Sequence, residues 1–296
     1  MIDGTHRSAD PPRYRVSAVL AAATTELAAA GVESARADAE WLLAYVLGVD
    51  RGRLVIADDL DAPTLVRYQD LLAQRGRRVP LQYLVGTAAF GPIEVAVGPG
   101  VFIPRPETEF LLDWAVRQLA DSAAPLVADL CSGSGALALS IARSLPTAQV
   151  IAVENDPVAL TWLRRNVLDH ALVDRVRILA ADVTDYAQFA DHAVRGSFDV
   201  VVTNPPYVPA DGEVSVEVAA DPAAAVFAGA DGMSVITAMV GVIATLLRPG
   251  GTVGIEHDDT AAAAVIEVLT RSGDFAEIAA HNDLTGRPRF VTARRR

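Results

Sequence analysis

The sequence predicts an α/β fold, in which a Rossmann-like sheet is preceded by a smaller N-terminal helical domain and a β-hairpin linker. After residue 110, short apolar segments alternate with segments of helical periodicity, which is typical of a parallel sheet covered on both faces. Residues 14–78 show helical patterns only. We therefore expect a helical domain at residues 1–84, a linker at 85–110 and a sheet domain at 111–296.

Composition excludes several classes of protein. The 296 residues are 51% hydrophobic, but no apolar run approaches the roughly 18 residues of a membrane span, so we expect no membrane partner. The single cysteine, Cys131, excludes an internal disulfide and a cysteine-only metal site, and a cytoplasmic protein is the default expectation. All 25 basic residues are Arg, which excludes a mechanism built on a Schiff-base or P-loop lysine.

Most of the negative charge lies in the second part of the chain. Residues 86–296 contain 15 Arg and 26 acidic residues, a net charge of −11, whereas the whole chain carries −12. Nucleic-acid affinity depends largely on basic groups that displace counterions. We therefore expect no direct nucleic-acid partner.

Three helices are expected in the helical domain. The first, VSAVLAAATTELAAAG, resembles a signal-peptide core, but its Ser, Thr and Glu residues favour an amphipathic helix. The second, in ADAEWLLAYVLG, should end at Gly48 as its C-cap. The third should begin after Asp61 as its N-cap, with Pro63 near the first turn. No catalytic cluster is visible here, so we expect this domain to recognise a partner.

A hairpin follows, and strands then alternate with helices. The hairpin strands are expected near residues 86–90 and 93–97, in a stretch rich in Gly, Pro and β-branched residues. The sheet strands are expected at 126–130, 149–154, 175–180, 198–203, 251–256 and 288–294, and the helices at 135–145, 157–169, 232–247 and 260–272.

The first sheet strand runs into a glycine loop, DLCSGSGALALS. A strand, then Gly133 and Gly135, then a helix is the arrangement that brings backbone close to a bound nucleoside. The segment GSGALA also satisfies the dinucleotide pattern Gly-x-Gly-x-x-Ala, and Glu154 lies 21 residues after Gly133, where a ribose-binding acid is expected. An NAD-dependent oxidoreductase therefore remains an alternative on this segment.

Acidic residues at further strand ends favour S-adenosylmethionine instead. Asp129 ends the first strand, where its carboxylate would oppose a pyrophosphate but favour a ligand carrying an ammonium and a sulfonium group. Asp182 ends the third strand, where it or the adjacent backbone can bind an adenine amino group. The structural alternative is that both acids only cap turns.

The fourth strand ends in NPPY, residues 204–207, at the edge where open α/β sheets bind ligands. An amide nitrogen is a poor nucleophile because its lone pair is delocalised. Acceptors that bind both of its hydrogens can orient it and favour pyramidalisation. We expect the Asn204 side-chain oxygen and the Pro205 carbonyl to be these acceptors, and the Tyr207 ring to pack on the flat substrate group. Catalysis would then be orientation and electrostatic preorganisation.

With these motifs the chain resembles the HemK/PrmC family, S-adenosylmethionine-dependent methyltransferases that modify the glutamine of the Gly-Gly-Gln motif in peptide-chain release factors. The resemblance covers nearly the whole chain and includes ARADAEWLLAYVLG, FIPRPETE, DLCSGSGALAL, NPPYV, DPAAAVFAGADGM and NDLTGRPRFV. It implies methyl transfer to the N5 nitrogen of that glutamine, S-adenosyl-L-homocysteine as product and release factors as protein substrates.

The resemblance also assigns site residues. It implies that the glutamine is bound by Asn204, Pro205, Pro206 and Tyr207, with Asn204 also near the cofactor. The residues expected to hold the cofactor are Asp129, Cys131, Ser132, Gly133, Ser134, Gly135, Glu154 on the ribose, and Asp182 with Val183 at the adenine. The segment expected to close over the site contains Phe102, Pro104, Arg105 and Glu107, whose alternative role is to join two domains.

Three positions depart from the family pattern: Cys131, Val183 and Asp258, which replaces a frequent glycine in IEHDD. Cys131 replaces the usual first glycine of the loop, and we expect its backbone to need no positive φ and its thiol to be inert and buried or partly buried. Val183 stands where some relatives place an aromatic ring against adenine. The five histidines show no metal-ligand spacing, and His257 is interpreted as structural.

Two other functions remain open besides the NAD enzyme. An adenine-N6 methyltransferase acting on DNA or RNA would share NPPY, although the acidic balance of residues 86–296 counts against it. A non-catalytic binding module is the third alternative, and the intact clamp and loop count against it.

Overall fold

The computed structural model describes residues 12–189 and 196–296. The chain divides into two compact units, Met1–Val85 and Gly86–Arg296, so the hairpin belongs to the second unit. The first eleven residues of the predicted helical domain lie outside the described residues. No helix in the described part of the chain is both long enough and apolar enough to cross a membrane.

The first unit is helical, as predicted. Its helices are α1 (Val16–Ala29), α2 (Ala35–Leu47), α3 (Ala62–Gly76) and α4 (Leu81–Val85), with a 3-10 helix at Arg51–Ile56. Gly48 caps α2 in the left-handed region at φ 65°. Asp61 caps α3 by accepting a 2.9 Å hydrogen bond from the backbone N–H of Thr64. The short α4 was not predicted.

Helical spacing places one apolar face of each long helix in the core of this unit. Leu27, Leu42, Leu43 and Tyr68 are fully buried there. The Tyr68 hydroxyl donates a 3.0 Å hydrogen bond to the carbonyl of Ala39, so its polar atom is satisfied inside the core.

The second unit contains the hairpin and the sheet. Its strands are β1 (Thr87–Phe90), β2 (Ile93–Ala96), β3 (Leu126–Leu130), β4 (Gln149–Glu154), β5 (Val176–Ala180), β6 (Phe198–Thr203), β7 (Leu247–Glu256), β8 (Phe275–Asn282) and β9 (Pro288–Arg295). Its helices are α5 (Glu109–Leu119), α6 (Ala136–Ser144), α7 (Pro157–Asp169), α8 (Ala223–Val226), α9 (Ser234–Leu246) and α10 (Ala262–Ser272).

The sheet has seven strands in the order β5-β4-β3-β6-β7-β9-β8. The first five pair in parallel, and β9 runs antiparallel to both of its neighbours. The chain adds strands to one side of β3 and then, from β6 onwards, to the other side. This topological switch point lies between the carboxyl ends of β3 and β6, where open α/β sheets bind ligands. The predicted α/β fold is confirmed.

Three of these helices and strands, α5, the short α8 and β8, were not predicted. The helix α5 buries Leu111, Leu112, Trp114 and Ala115 at helical spacing, so its signal was present in the sequence. The strand β8 forms the edge of the sheet, and most of its residues after Phe275 are exposed or half-buried. Its sequence, FAEIAAHN, has little of the β-branched content that marks the inner strands.

Candidate active site

A cavity of about 360 Å³ lies at the carboxyl ends of β3, β4, β5 and β6. Its wall includes most of the residues that the sequence assigned to the cofactor and the substrate. Those on the wall are Phe102, Pro104, Asp129, Cys131, Ser132, Gly133, Ser134, Glu154, Asp182, Val183, Asn204 and Pro206. The other predicted residues, Arg105, Glu107, Gly135, Pro205 and Tyr207, are not part of the wall.

The loop after β3 turns sharply because three of its residues have left-handed backbone. Gly133 and Gly135 have φ of 55° and 85°, and a Cβ at Gly135 would lie 2.4 Å from Cδ1 of Leu163. Cys131 has φ of 61°, so the expectation that it needs no positive φ is wrong. The reason is local, because two hydrogen bonds hold the next residue, Ser132. Its N–H donates to the backbone carbonyl of Val153 (2.9 Å), and its hydroxyl donates to the backbone carbonyl of Asp129 (2.8 Å).

The chemistry of Cys131 agrees with the predicted inert thiol. Burial raises the pKa of the Cys131 thiol, and the nearby Glu154 carboxylate raises it further. The thiol therefore stays protonated at neutral pH, and a protonated thiol is a weak nucleophile.

An asparagine that the sequence did not single out fastens this loop to the hairpin. Asn166 of α7 is 1% exposed. Its Nδ2 donates to the carbonyls of Ser134 (2.9 Å) and Ala96 (3.0 Å), and its Oδ1 accepts from the N–H of Ala96 (2.8 Å). A polar residue within a helix gives no signal of such contacts in sequence alone.

Asp129 is a buried carboxyl on the cavity wall. It is 1% exposed, and its Oδ2 accepts a 3.1 Å hydrogen bond from the N–H of Ala138 at the start of α6. Among the described residues it forms no ion pair. Burial raises the pKa of Asp129 to about 7, and the nearby Glu154 also raises it. A cationic group in the cavity would favour the ionised form.

The two other strand-end acids are held by backbone groups. Glu154 accepts from the N–H groups of Gly133 (2.8 Å), Asn155 (2.8 Å) and Asp156 (2.9 Å). Asp182 accepts from the N–H (2.8 Å) and the hydroxyl (2.7 Å) of Thr184, so it does cap a turn. Both acids nevertheless lie on the cavity wall.

The NPPY segment follows β6 at the switch point. The Nδ2 of Asn204 donates a 3.1 Å hydrogen bond to Oγ1 of Thr108, which sequence reasoning did not identify. Within residues 12–189 and 196–296, neither Asn204 Oδ1 nor the buried Pro205 carbonyl accepts a hydrogen bond. Gly232 leaves room for this segment, because a Cβ there would lie 2.2 Å from the Tyr207 carbonyl oxygen.

Tyr207 lies behind the cavity wall. Its ring packs against the apolar core of the sheet, and its hydroxyl donates to Oε1 of Glu256 at 3.5 Å. Burial raises the pKa of the Tyr207 hydroxyl, which stays protonated at neutral pH. This position differs from the expected packing on the substrate.

The segment before α5 is anchored by an aspartate. Arg105 forms an ion pair with Asp221, whose Oδ1 also accepts a 3.2 Å hydrogen bond from the N–H of Ile103. The Arg105 guanidinium lies 5.1 Å from the centre of the Phe102 ring. Arg105 therefore holds the segment that presents Phe102 and Pro104 to the cavity. Asp221 lies in DPAAAVF, and its role was not predicted.

Comparisons with known proteins place this architecture in a family. The PrmC N-terminal domain model matches residues 18–86, and the methyltransferase small domain model matches residues 107–225. The chain is 52% identical to the release factor glutamine methyltransferase of Mycolicibacterium smegmatis over 95% of this chain and 98% of that protein. The chain belongs to the release factor glutamine methyltransferases. The enzyme of the same name from Corynebacterium glutamicum is 49% identical over 92% of this chain and 96% of that protein.

A solved structure is also similar to this chain. A 16S rRNA methyltransferase of T. thermophilus, solved with AdoMet and guanosine, aligns at a TM-score of 0.50 and 26% identity. The alignment covers 71% of this chain and 50% of that one. The predicted family and methyltransferase fold are confirmed, and with them the use of S-adenosylmethionine. The NAD-dependent and non-catalytic alternatives are not supported, and the adenine-N6 alternative is not favoured.

Proposed function

We propose that this chain transfers a methyl group from S-adenosylmethionine to the side-chain N5 nitrogen of the glutamine in the Gly-Gly-Gln motif of a release factor. The N–CH₃ bond forms as the S–CH₃ bond breaks, S-adenosyl-L-homocysteine leaves, and the nitrogen releases one proton. The observation that carries this proposal is a pair of acceptors at the end of β6 beside the cavity, Asn204 Oδ1 and the Pro205 carbonyl, which take no hydrogen bond from any residue that the structure describes.

The cavity residues fit S-adenosylmethionine. A volume of about 360 Å³ is within the range of small-molecule sites. Asp129 would pair with the ammonium group, Glu154 would bind the ribose, and Asp182 with Val183 would hold the adenine. The loop from Cys131 to Gly135 would lie against the nucleoside, because Gly133 presents only backbone there. The bound cofactor would supply an electrophilic methyl group on a positively charged sulfur.

The chain itself would supply orientation. Asn204 Oδ1 and the Pro205 carbonyl would accept the two amide hydrogens and turn the nitrogen lone pair toward the cofactor side of the cavity. Pro206 would line the site, and Phe102 and Pro104 would limit the access of water to it. The methylated nitrogen is strongly acidic before it loses its proton, so no strong base is needed. Positioning of this kind lowers the barrier by removing the entropy cost of alignment.

The helical unit would dock the protein substrate. Five of the large apolar side chains described in this unit are exposed: Trp41 (47%), Tyr45 (53%), Val55 (91%), Ile56 (79%) and Val66 (55%). Exposed apolar groups of this size are typical of protein-binding surfaces. Trp41→Ala together with Val55→Ser should raise KM for the release factor and leave the cofactor Kd unchanged. An unchanged KM would contradict this role.

Methyl incorporation from labelled S-adenosylmethionine tests the proposal. Purified release factor should be labelled by the wild type and not by Asn204→Ala, while DNA and RNA should remain unlabelled. Label in nucleic acid instead of protein would favour the adenine-N6 alternative. A release-factor substrate also implies that the enzyme acts in the cytoplasm.

A further inference from the structure

A regular series of contacts joins the hairpin segment to α7. Every second residue from 94 to 100 meets every fourth residue of α7 and its C-cap, counted backwards along the helix. The pairs are Glu94 with His170, Ala96 with Asn166, Gly98 with Trp162 and Gly100 with Val158. Two residues of a strand rise about 6.6 Å and four residues of a helix about 6 Å, so the two spacings match. Alternate residues of an antiparallel pair direct their N–H and C=O away from the partner strand, and α7 provides the partners here.

Glycine is required where this segment leaves the hairpin. A Cβ at Gly98 would lie 2.5 Å from Cζ2 of Trp162, and a Cβ at Gly100 would lie 2.6 Å from Cγ1 of Val158. Either contact would push the segment away from α7. The same segment forms part of the cavity wall, and we name residues 96–104 the strap. Its residues on the wall are Gly100, Val101, Phe102 and Pro104.

Asn166 joins the strap to a second part of the cavity wall, the cofactor loop. Its Nδ2 donates to the carbonyl of Ala96 at the start of the strap (3.0 Å) and to the carbonyl of Ser134 in the loop (2.9 Å). Its Oδ1 accepts from the N–H of Ala96 (2.8 Å). Ser134 lies on the cavity wall, whereas Asn166 and Ala96 do not. One buried planar group thus fixes the distance between two backbone segments.

We infer that Asn166 is a positioning residue, which sets the separation between the strap and the cofactor loop and thereby the affinity for S-adenosylmethionine. Groups that bind a ligand must be held to within about 0.5 Å of their productive positions, and packed side chains behind the site do this. Without Asn166, the carbonyls of Ala96 and Ser134 would lose their partner inside the protein, and both segments would shift to find another. The inference rests on the proposed placement of the cofactor in this cavity and not on the identity of the methyl acceptor.

Asn166→Ala tests this role because it removes all three hydrogen bonds. The Kd for S-adenosyl-L-homocysteine, measured by calorimetry, should rise at least about tenfold, as is typical when a group that orients a ligand-binding residue is lost. Hydrogen exchange at the N–H of Ala96 should become faster in the cofactor-free variant, since this N–H loses its acceptor. A wild-type Kd in the folded variant would overturn the inference.

Ser140→Ala is the matched control. Ser140 on α6 is fully buried, and within the described residues its hydroxyl donates to the carbonyl of Phe90 in the hairpin (3.3 Å) and not to the cofactor loop. This variant should loosen the hairpin but leave the cofactor Kd unchanged. An equal rise of Kd in Ser140→Ala and Asn166→Ala would show that any loss of hairpin contacts weakens binding, and it would overturn the specific role of Asn166.

Gly98→Ala provides a second route that leaves Asn166 intact. Gly98 does not have left-handed backbone, so the variant acts through its contact with Trp162. It should raise the Kd for S-adenosyl-L-homocysteine, and the further change Trp162→Leu, which removes the crowded ring atoms, should restore part of the affinity. A wild-type Kd in Gly98→Ala, or no recovery in the double variant, would contradict the role of the strap position. A wild-type enzyme that binds the cofactor but does not methylate release factor would overturn the proposed function alone.

Discussion

Asn204 donates from Nδ2 to the hydroxyl oxygen of Thr108 at 3.1 Å, across 96 positions of the chain. This contact joins the end of β6 to the segment before α5, and it turns the second amide atom, Oδ1, away from Thr108. An asparagine that uses its donor inside the protein retains an acceptor for a ligand.

Asn204→Asp should therefore impair transfer although it preserves shape. The new carboxylate has no hydrogen to give Thr108, so the Thr108 hydroxyl must turn toward it. We expect kcat to fall at least about tenfold, because groups that orient a reacting amide act mainly in the transition state. Cofactor affinity, measured by calorimetry, should change much less than kcat. A variant with normal kcat would show that the Asn204–Thr108 contact is only structural.

Cofactor binding should depend on the ionisation of Asp129. Its pKa is raised to about 7 by burial, and pairing with an ammonium group requires the charged form. Below pH 7 the affinity for S-adenosylmethionine should fall, by up to about tenfold per pH unit, because binding must release a proton. Titrations from pH 5.5 to 8.5 should show this slope in the wild type and lose it in Asp129→Asn. An equal slope in both proteins would exclude Asp129 as its source.

The same residue should affect the stability of the cofactor-free protein. A folded-state pKa raised from 3.8 to about 7 contributes stability that is present below pH 4 and is lost as pH rises through 7. The loss is at most about 4 kcal/mol, since one pKa unit corresponds to about 1.4 kcal/mol. His257 and His281, whose pKa is lowered by burial, act in the opposite direction. Urea unfolding should therefore show that Asp129→Asn gains stability relative to wild type between pH 5 and 8.

The two glycines of the cofactor loop should respond differently to alanine. Both have positive φ, but a Cβ at Gly135 would meet Leu163 at 2.4 Å, whereas nothing lies within 4 Å at Gly133. Gly133→Ala should cost only the left-handed strain, about 1–2 kcal/mol. Gly135→Ala should cost about 1–3 kcal/mol more because of overpacking. Equal unfolding free energies for the two variants would contradict this steric argument.

The ion pair between Arg105 and Asp221 should matter more than a surface pair. The Asp221 side chain is fully buried, and that of Arg105 is 24% exposed. Asp221→Asn should destabilise the protein by about 1–3 kcal/mol and weaken cofactor binding, since the segment with Phe102 and Pro104 loses its anchor. The matched control is Asp113→Asn. The side chains of Asp113 and Arg117 are 61% and 65% exposed, so their ion pair should contribute less than about 1 kcal/mol. Similar effects in both variants would argue against an anchoring role.

The sequence predicted the inner strands closely because their composition is unambiguous. Strands 126–130, 149–154 and 198–203 and the helix 157–169 have the predicted bounds. The edge strand β8 was not predicted because only Phe275 among its side chains is buried and because the strand is rich in Ala. The positive φ of Cys131 was also missed, since it depends on hydrogen bonds that close the loop after β3.

The site was predictable where chemistry and motif coincide within one segment. The glycine loop, the strand-end acids and Asn204 all lie around the cavity. Thr108, Asn166, Asp221 and Glu256 could not be found in this way. Their partners lie from 32 to 118 positions away in the chain, so only folding brings them to the site.

Locating the transferred methyl group tests the central claim most directly. Release factor incubated with the wild-type enzyme and S-adenosylmethionine should gain the mass of one methyl group. Fragmentation by mass spectrometry should place it on the side-chain nitrogen of the Gly-Gly-Gln glutamine, with no gain in the Asn204→Ala reaction. A methyl group on any other residue, or equal modification by that variant, would contradict the glutamine clamp at residues 204–207.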